Sequence, residues 1–151
     1  MLYKILLFVH VTGVVFWVGA GGAFQIMAER VAKMDSSRVK AFIQTGSLVP
    51  SAYFGILTAV VLVSGVWMVV DSGIGFEQPF VVAGVVGLIA SGAIGGAVMG
   101  KTSASLYTLV ASPNFDEKVM NAGVAKMRTF GRLDLAIMLF VIYMMTVKPG
   151  T

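Results

Sequence analysis

The amino-acid sequence predicts an all-α integral membrane protein, a four-helix bundle formed by a single domain over residues 1–151. Three observations predict this class. Apolar residues make up 58% of the chain and charged residues 12%, whereas about a quarter of the residues in a typical soluble domain are charged. Four segments are long and apolar enough to cross a membrane. The 18 glycines lie mainly inside apolar segments, where small residues favour close packing of helices.

Each predicted span has its own support, and together they cover residues 5–28, 47–70, 79–100 and 130–147. Crossing the hydrocarbon takes about 20 predominantly apolar residues in a helix. The first segment is longer than the apolar core of a signal peptide, so we interpret it as a true span. The fourth is short and carries Asp134 near its start. It crosses the membrane only if Phe130 to Arg132 continue the same helix.

The distribution of lysine and arginine indicates an orientation. All of them lie in the first and third loops except Lys4 and Lys148, which lie in the tails. This asymmetry predicts basic loops in the cytoplasm and both termini outside, in what we expect to be a bacterial inner membrane. The net charge of +4 arises from these two loops and not from one basic face. We therefore expect contact with membrane lipids and their anionic headgroups, and no binding of nucleic acid.

Both basic loops contain amphipathic stretches, which we interpret as short helical segments. Asp35 or Ser36 is a candidate helix start in the first loop, and Asn114 with Glu117 resembles a capping box in the third. We expect the apolar faces of these segments to lie at the membrane interface and their charged faces to be solvated. A specific docking site is the alternative.

Two ion pairs are expected near the basic loops. Glu29 and Arg30 end the first span, and we expect them to pair at the level of the headgroups. Asp134 lies two residues after Arg132, and we expect an interfacial ion pair there rather than a proton path.

Small residues recur on the third span at four-residue spacing. Gly92, Gly96 and Gly100 form one row, and Gly87, Ser91 and Gly95 form a parallel row. Such rows let helix backbones approach closely in lipid. We favour packing within the bundle of one chain over a dimer interface.

His10 is the single histidine and lies in an uncharged segment. It shares a helix face with small and aromatic residues, namely Gly13, Trp17, Gly21 and Phe24. A polar side chain in a span normally faces the bundle and finds a partner. We therefore expect His10 to point inward, either hydrogen-bonded to a carbonyl or a Ser/Thr hydroxyl, or as one ligand of a cofactor.

Methionines lie at the predicted depth of His10 on other spans: Met68 on the second, and Met144 and Met145 on the fourth. Gly84 and Gly87 of the third span are expected to leave space beside them. One His with one or two Met thioethers is a ligand set for haem b or copper(I), with His10 as the metal ligand. The absence of any cofactor is equally compatible with the sequence.

The stretch HVTGVVFWVGAGG (residues 10–22) resembles the first helix of CopD-like copper-resistance proteins, of uncharacterised four-helix families near them, and of HemJ-type protoporphyrinogen oxidases. The closing TVKPG (residues 146–150) resembles the uncharacterised CopD-related group. The resemblance implies a four-helix bundle and favours haem or copper at His10. HemJ-type proteins rely on a His and Lys pair. Lys101 is about 25 Å in depth from His10, so we expect no such pairing here.

Three functions follow from these observations. The first is a subunit or accessory protein that packs beside other membrane proteins, or self-associates into an oligomer, with no catalytic activity of its own. The chain has no cysteine, and no Ser-His-Asp set can assemble on one side of the membrane. The second is a haem- or copper-binding protein that handles metal or electrons. The third is a small transporter, the least favoured because few polar groups line the interior.

Overall fold

The structure is a computed structural model that describes residues 1–46 and 51–148, and these residues are helical with short connections. The helices are α1 (Leu2–Val31), α2 (Ser36–Gly46), α3 (Ser51–Ser72), α4 (Pro79–Ala93), α5 (Lys101–Ala111) and α6 (Glu117–Val147). A π-helical segment, Ile94–Gly100, joins α4 to α5 without a break. The prediction of an all-α fold is confirmed.

Four helices are long and apolar enough to cross a membrane: Leu2–Val31, Ala52–Ser72, Pro79–Ala111 and Glu117–Val147. Each corresponds to one predicted span, although the predicted start of the second span, residues 47–50, lies outside the described residues. Phe130 to Arg132 are interior to α6, as the fourth span requires. Large apolar side chains such as Phe8, Ile56 and Ile89 are more than half exposed, an arrangement that suits contact with lipid tails.

The four long helices form a ring. Helix α1 packs along α3 and α4 packs along α6, while contacts of α1 with α6 and of α3 with α4 complete the ring. Each helix contributes one buried residue to a shared core of Trp17, Val61, Leu88 and Met138. Because lipid tails are as apolar as these side chains, close packing holds such a core together more than exclusion of water does.

Glycines on α4 let α6 approach closely. A Cβ at Gly84 would overlap the Met145 methyl group, and a Cβ at Gly87 would overlap a methyl group of Val141. The expectation of open space beside these two glycines is therefore wrong, because α6 side chains fill it. Gly13 of α1 has the same role toward α3, since a Cβ there would lie 3.0 Å from Val61 Cγ2.

The two small-residue rows differ in what they face. Gly87 and Ser91 are buried within the bundle, whereas Gly95 of the same row is exposed. Gly92, Gly96 and Gly100 are exposed, and a Cβ at Gly92 or Gly96 would meet no atom within 4 Å. The expectation that the row of Gly92, Gly96 and Gly100 packs within its own bundle is wrong, because this row lies on the outer side of the third span.

The ends of the bundle differ in charge. We call the end that carries α2, α5 and the first half of α6 the basic end, and the opposite end the termini end. At the basic end a second core is formed by Val39 of α2, Leu106 of α5 and Met120 of α6, and Met120 is 0% exposed. The two amphipathic stretches pack against each other there, and their expected position at the membrane interface stays a prediction.

Polar contacts reinforce this second core. The Ser36 hydroxyl donates to the Glu117 carboxylate, and the Lys40 ammonium lies 3.4 Å from the centre of the Phe115 ring. On α6, Gly123 lies against Leu106, so α5 and α6 are closely packed. The loops are therefore tied into a small helical unit at the basic end.

Capping residues explain where two helices begin. Asp35 Oδ1 accepts from the Arg38 amide at 3.0 Å, which confirms a start at Asp35 or Ser36. The Ser37 hydroxyl and this amide hold the pKa of Asp35 below its ordinary value. Asp116 caps α6 by accepting from the amides of Lys118 and Val119. The predicted capping box at Asn114 and Glu117 is therefore wrong, because the cap lies two residues later.

Candidate functional site

His10 faces α3, as its shared face with Gly13 and Trp17 predicts. Its Nδ1 lies 3.0 Å from the Val61 carbonyl oxygen and 3.1 Å from the Ser64 hydroxyl. A carbonyl oxygen only accepts, so Nδ1 carries the proton and donates. The Ser64 hydroxyl in turn donates to the Val60 carbonyl at 2.5 Å and is free to accept from His10.

This geometry defines the state of the imidazole ring. With the proton on Nδ1, a neutral ring has its lone pair on Nε2, and no hydrogen bond to Nε2 is found among the described residues. Gly65 makes room for the ring, because a Cβ there would lie 3.0 Å from His10 Cε1. The expected bond to a carbonyl and to a Ser/Thr hydroxyl is present, and one ring nitrogen is left available.

The structure places the three candidate methionines differently. Met68 lies one helical turn beyond Ser64 on α3, on the side that carries the partners of His10. Met145 packs its methyl group on Gly84 of α4. Met144 is half-buried, and its carbonyl accepts from the Lys148 amide at 3.0 Å. Of the three, Met68 is the one that shares a helix face with the residues bound to His10.

The described residues contain no cluster of His, Asp or Glu side chains that suits a metal ion. Within residues 1–46 and 51–148, no three His, Asp or Glu side chains are grouped so that they could hold a metal ion. A metal or haem would therefore depend on His10 Nε2 and on a soft ligand such as Met68.

A polar cluster between α1 and α6 was not anticipated. Glu29 accepts from Arg128 through both Nε, at 3.0 Å, and Nη2, and from Arg132 Nε at 2.7 Å. Gln25 is 9% exposed, and its amide donates to Glu29 at 2.9 Å and to the Arg128 carbonyl at 3.2 Å. The expected pair of Glu29 with Arg30 is wrong, because adjacent residues on a helix do not face the same neighbour.

A signal for this cluster exists in the sequence. Gln25 and Glu29 are four residues apart on α1, and Arg128 and Arg132 are four apart on α6. Residues at this spacing share a helix face, so two such pairs of complementary chemistry are able to meet. Which helices are neighbours, however, is not visible in the spacing.

Asp134 faces α4 and not the basic cluster. The side chain of Arg132 is bound to Glu29, so the expected pair of Asp134 with Arg132 is wrong. Asp134 lies on the α6 stripe that continues through Met138 and Val141, and its carboxyl interacts with the Ser91 hydroxyl of α4. Its Oδ1 is buried and has no hydrogen-bond partner among the described residues.

A comparison with protein-family models assigns the chain to a family. Residues 4–149 match the model of DUF2269, whose members are predicted integral membrane proteins. The chain belongs to this family. Searches of curated proteins and of solved structures returned no match.

For this DUF2269 member, the family match supports an integral membrane protein but not an affiliation with CopD-like or HemJ-type proteins. Of the stretches that carry that resemblance, residues 10–22 lie in α1, whereas the last two residues of TVKPG lie outside the described residues. Two of the polar contacts inside the bundle pair a half-buried ionisable residue with a buried serine: His10 with Ser64, and Asp134 with Ser91.

Proposed function

We propose that this protein is a subunit or accessory protein of a membrane assembly and packs on another membrane helix through the exposed row Gly92, Gly96 and Gly100. The observation that carries the proposal is the open space above Gly92 and Gly96 of this exposed row. Glycine in a helix is about 1 kcal/mol less favourable than alanine. Three exposed glycines at four-residue spacing, with no side chain of the described residues packed on them, are best accounted for by a helix from another chain.

The partner is a transmembrane helix of a second copy or of another membrane protein. Small residues at this spacing let two helix backbones approach closely and gain van der Waals contact. By contrast, Gly84 and Gly87 already receive side chains from α6. In this proposal the basic end lies in the cytoplasm of a bacterial cell, because the basic loops are on that side.

Single-cysteine crosslinking tests this proposal cleanly, because the chain has no cysteine of its own. Gly96→Cys in native membranes is expected to give a crosslinked product, either a dimer or a covalent complex with a second membrane protein. Gly55→Cys is the matched control, since Gly55 is also an exposed helix glycine with no atom within 4 Å of a Cβ. Crosslinking of Gly96→Cys no stronger than that of Gly55→Cys would refute the proposal.

A second variant measures the contribution of the row. Gly96→Leu is expected to lower the yield of the assembly about tenfold, which corresponds to about 1.4 kcal/mol of lost association free energy. Gly55→Leu is expected to leave the yield unchanged. An assembly insensitive to Gly96→Leu would show that another surface holds the complex.

A haem- or copper-binding role is the second candidate, and the state of His10 favours it. Histidines that bind metals usually donate their other ring N–H to a carbonyl or carboxylate, and His10 Nδ1 donates to the Val61 carbonyl. The free Nε2 and Met68, one helical turn beyond Ser64, are then the ligands, and the resemblance of residues 10–22 to CopD-like proteins favours this role. Met144 and Met145 are the alternative soft ligands.

The test is an absorption spectrum of gently solubilised protein, oxidised and reduced, with metal analysis of the same sample. A Soret band or stoichiometric copper that is lost in His10→Ala and weakened in Met68→Leu would establish this role. A colourless and metal-free protein would leave His10 as a structural residue that ties α1 to α3. A small transporter is the least supported role, since the polar side chains inside the bundle are few.

A further inference from the structure

Asp134 has an environment that an ionised carboxylate tolerates poorly. Its Oδ1 is buried with no hydrogen-bond partner among the described residues, and its interaction is with a neutral hydroxyl, that of Ser91. Burying an unpaired charge is far more unfavourable than burying a neutral acid. Ionisable residues inside membrane bundles are therefore commonly functional, and protons are among their ligands.

The charged groups around Asp134 do not neutralise it. Helix α4 and the π-helical segment, which pack against α6, contain no Asp, Glu, Lys, Arg or His. Helix α1 carries Glu29, which already binds Arg128 and Arg132 of α6, and also Lys4, His10 and Arg30. Helix α5 contributes Lys101, which is exposed. The carboxyl thus lacks a cation partner among the described residues.

Polar groups extend from the basic end to within one helical turn of Asp134. Glu29 is about one-quarter exposed, and Gln25 binds it from deeper in the bundle. The Gln25 carboxamide lies against Gly131, three residues before Asp134 on α6. The polar groups that begin at the basic end therefore end about one helical turn from Asp134.

The helix opposite Asp134 is also unusual. Ser91 is 3% exposed and lies three residues before the π-helical segment Ile94–Gly100. π-helical turns inside α-helices occur frequently at functional sites. A buried hydroxyl and a carboxyl with one buried oxygen thus meet at the α4–α6 interface, one helical turn from a π-helical segment.

We infer that Asp134 is a proton-binding site, held by the Ser91 hydroxyl and reached from the basic end along Glu29 and Gln25. Proton uptake converts the carboxylate to the neutral acid, which removes the unpaired charge. A metal cation is a poorer ligand, because hard cations such as Ca²⁺ take about six or more oxygens and this site offers one carboxyl and one hydroxyl. This assignment does not depend on the proposed assembly role.

Labelling with dicyclohexylcarbodiimide tests the inference on the full chain in membranes. A protonated carboxyl transfers its proton to the carbodiimide, and the carboxylate oxygen adds to the central carbon. The adduct rearranges to a stable N-acylurea that mass spectrometry locates. We expect one adduct on Asp134 near neutral pH. Its rate should fall about tenfold for each pH unit above the midpoint of the titration.

Variants separate this site from other carboxyls. Asp134→Asn is expected to abolish the adduct, and Asp71→Asn, at the exposed end of α3, is expected to leave it unchanged. Ser91→Ala is expected to shift the midpoint of labelling to higher pH, because the hydroxyl donates to the ionised form. A purely structural serine would not move that midpoint.

Three results would overturn the inference. One is the absence of an adduct on Asp134 at any pH, and another is an adduct that survives Asp134→Asn. The third is slower labelling in Na⁺ at constant pH, which would indicate a cation site instead. If Asp134→Asn fails to fold, peptide mapping of the labelled wild-type chain across pH decides the question without it.

Discussion

Met120→Ala is the sharpest test of the helical unit at the basic end. Met120 is 0% exposed and lies between Val39 of α2 and Leu106 of α5. Truncating a buried methionine to alanine costs about 2–5 kcal/mol, and the cost is smaller where neighbours relax into the cavity. Because this core has few fully buried members and lies beside α2, a short helix, we expect about 2–3 kcal/mol.

Amide hydrogen exchange measures this loss locally. If α2 and α5 open as a unit, their amides exchange about 30- to 150-fold faster in Met120→Ala, since each 1.4 kcal/mol is a factor of ten. Amides of α1 and α3 near Trp17 are expected to change little, because they belong to the other core.

Met34→Ala is the matched control, because Met34 is 44% exposed and its truncation is expected to change stability by less than about 0.5 kcal/mol. If Met120→Ala and Met34→Ala behave alike, α2 and α6 do not share a core. The amphipathic segments would then lie separately on the membrane surface, and our description of the basic end would be wrong.

Three further predictions concern the bundle, the polar cluster and a helix cap. Gly87→Leu is expected to lower the unfolding temperature in detergent because the side chain would displace α6, whereas Gly55→Leu, in open space outside the proposed interface, is expected not to lower it. Glu29→Gln is expected to increase proteolysis at the basic end, since Arg128, 26% exposed, loses its carboxylate partner; unchanged cleavage would contradict this. Asp35→Asn is expected to speed exchange in α2 near neutral pH. Because folding lowers the pKa of Asp35, this difference from wild type should vanish as pH falls below about 4, and a difference that persists in acid would exclude charge as its cause.

The site at His10 was predicted in part. Its inward direction and its type of partner follow from the helix face it shares with Gly13 and from the need to satisfy a polar group in lipid. Its actual partners, Val61 and Ser64, depend on α1 lying against α3, which no periodicity in either segment specifies. The methionines were grouped by depth, and depth does not say which side of a helix a residue occupies.

The errors at the basic end have a common origin. Arg30 and Arg132 were chosen as partners because they are close in sequence to Glu29 and Asp134. In the structure Glu29 binds across to α6 and Asp134 faces α4. Residues one or two apart point away from each other on a helix, so sequence proximity is a poor guide to ion pairs there.

Composition and the lengths of apolar segments were sufficient to establish four membrane-spanning helices, because the hydrocarbon imposes a minimum helix length and requires internal backbone hydrogen bonds. Which helices lie side by side in the ring could not be predicted from composition or segment length. This arrangement determines that Gly87 contacts α6 while Gly92 faces outward, and that Met120 is buried while Val119 is exposed. Such arrangements arise from side-chain packing between segments distant in sequence, whereas the spans arise from each segment's own contact with lipid.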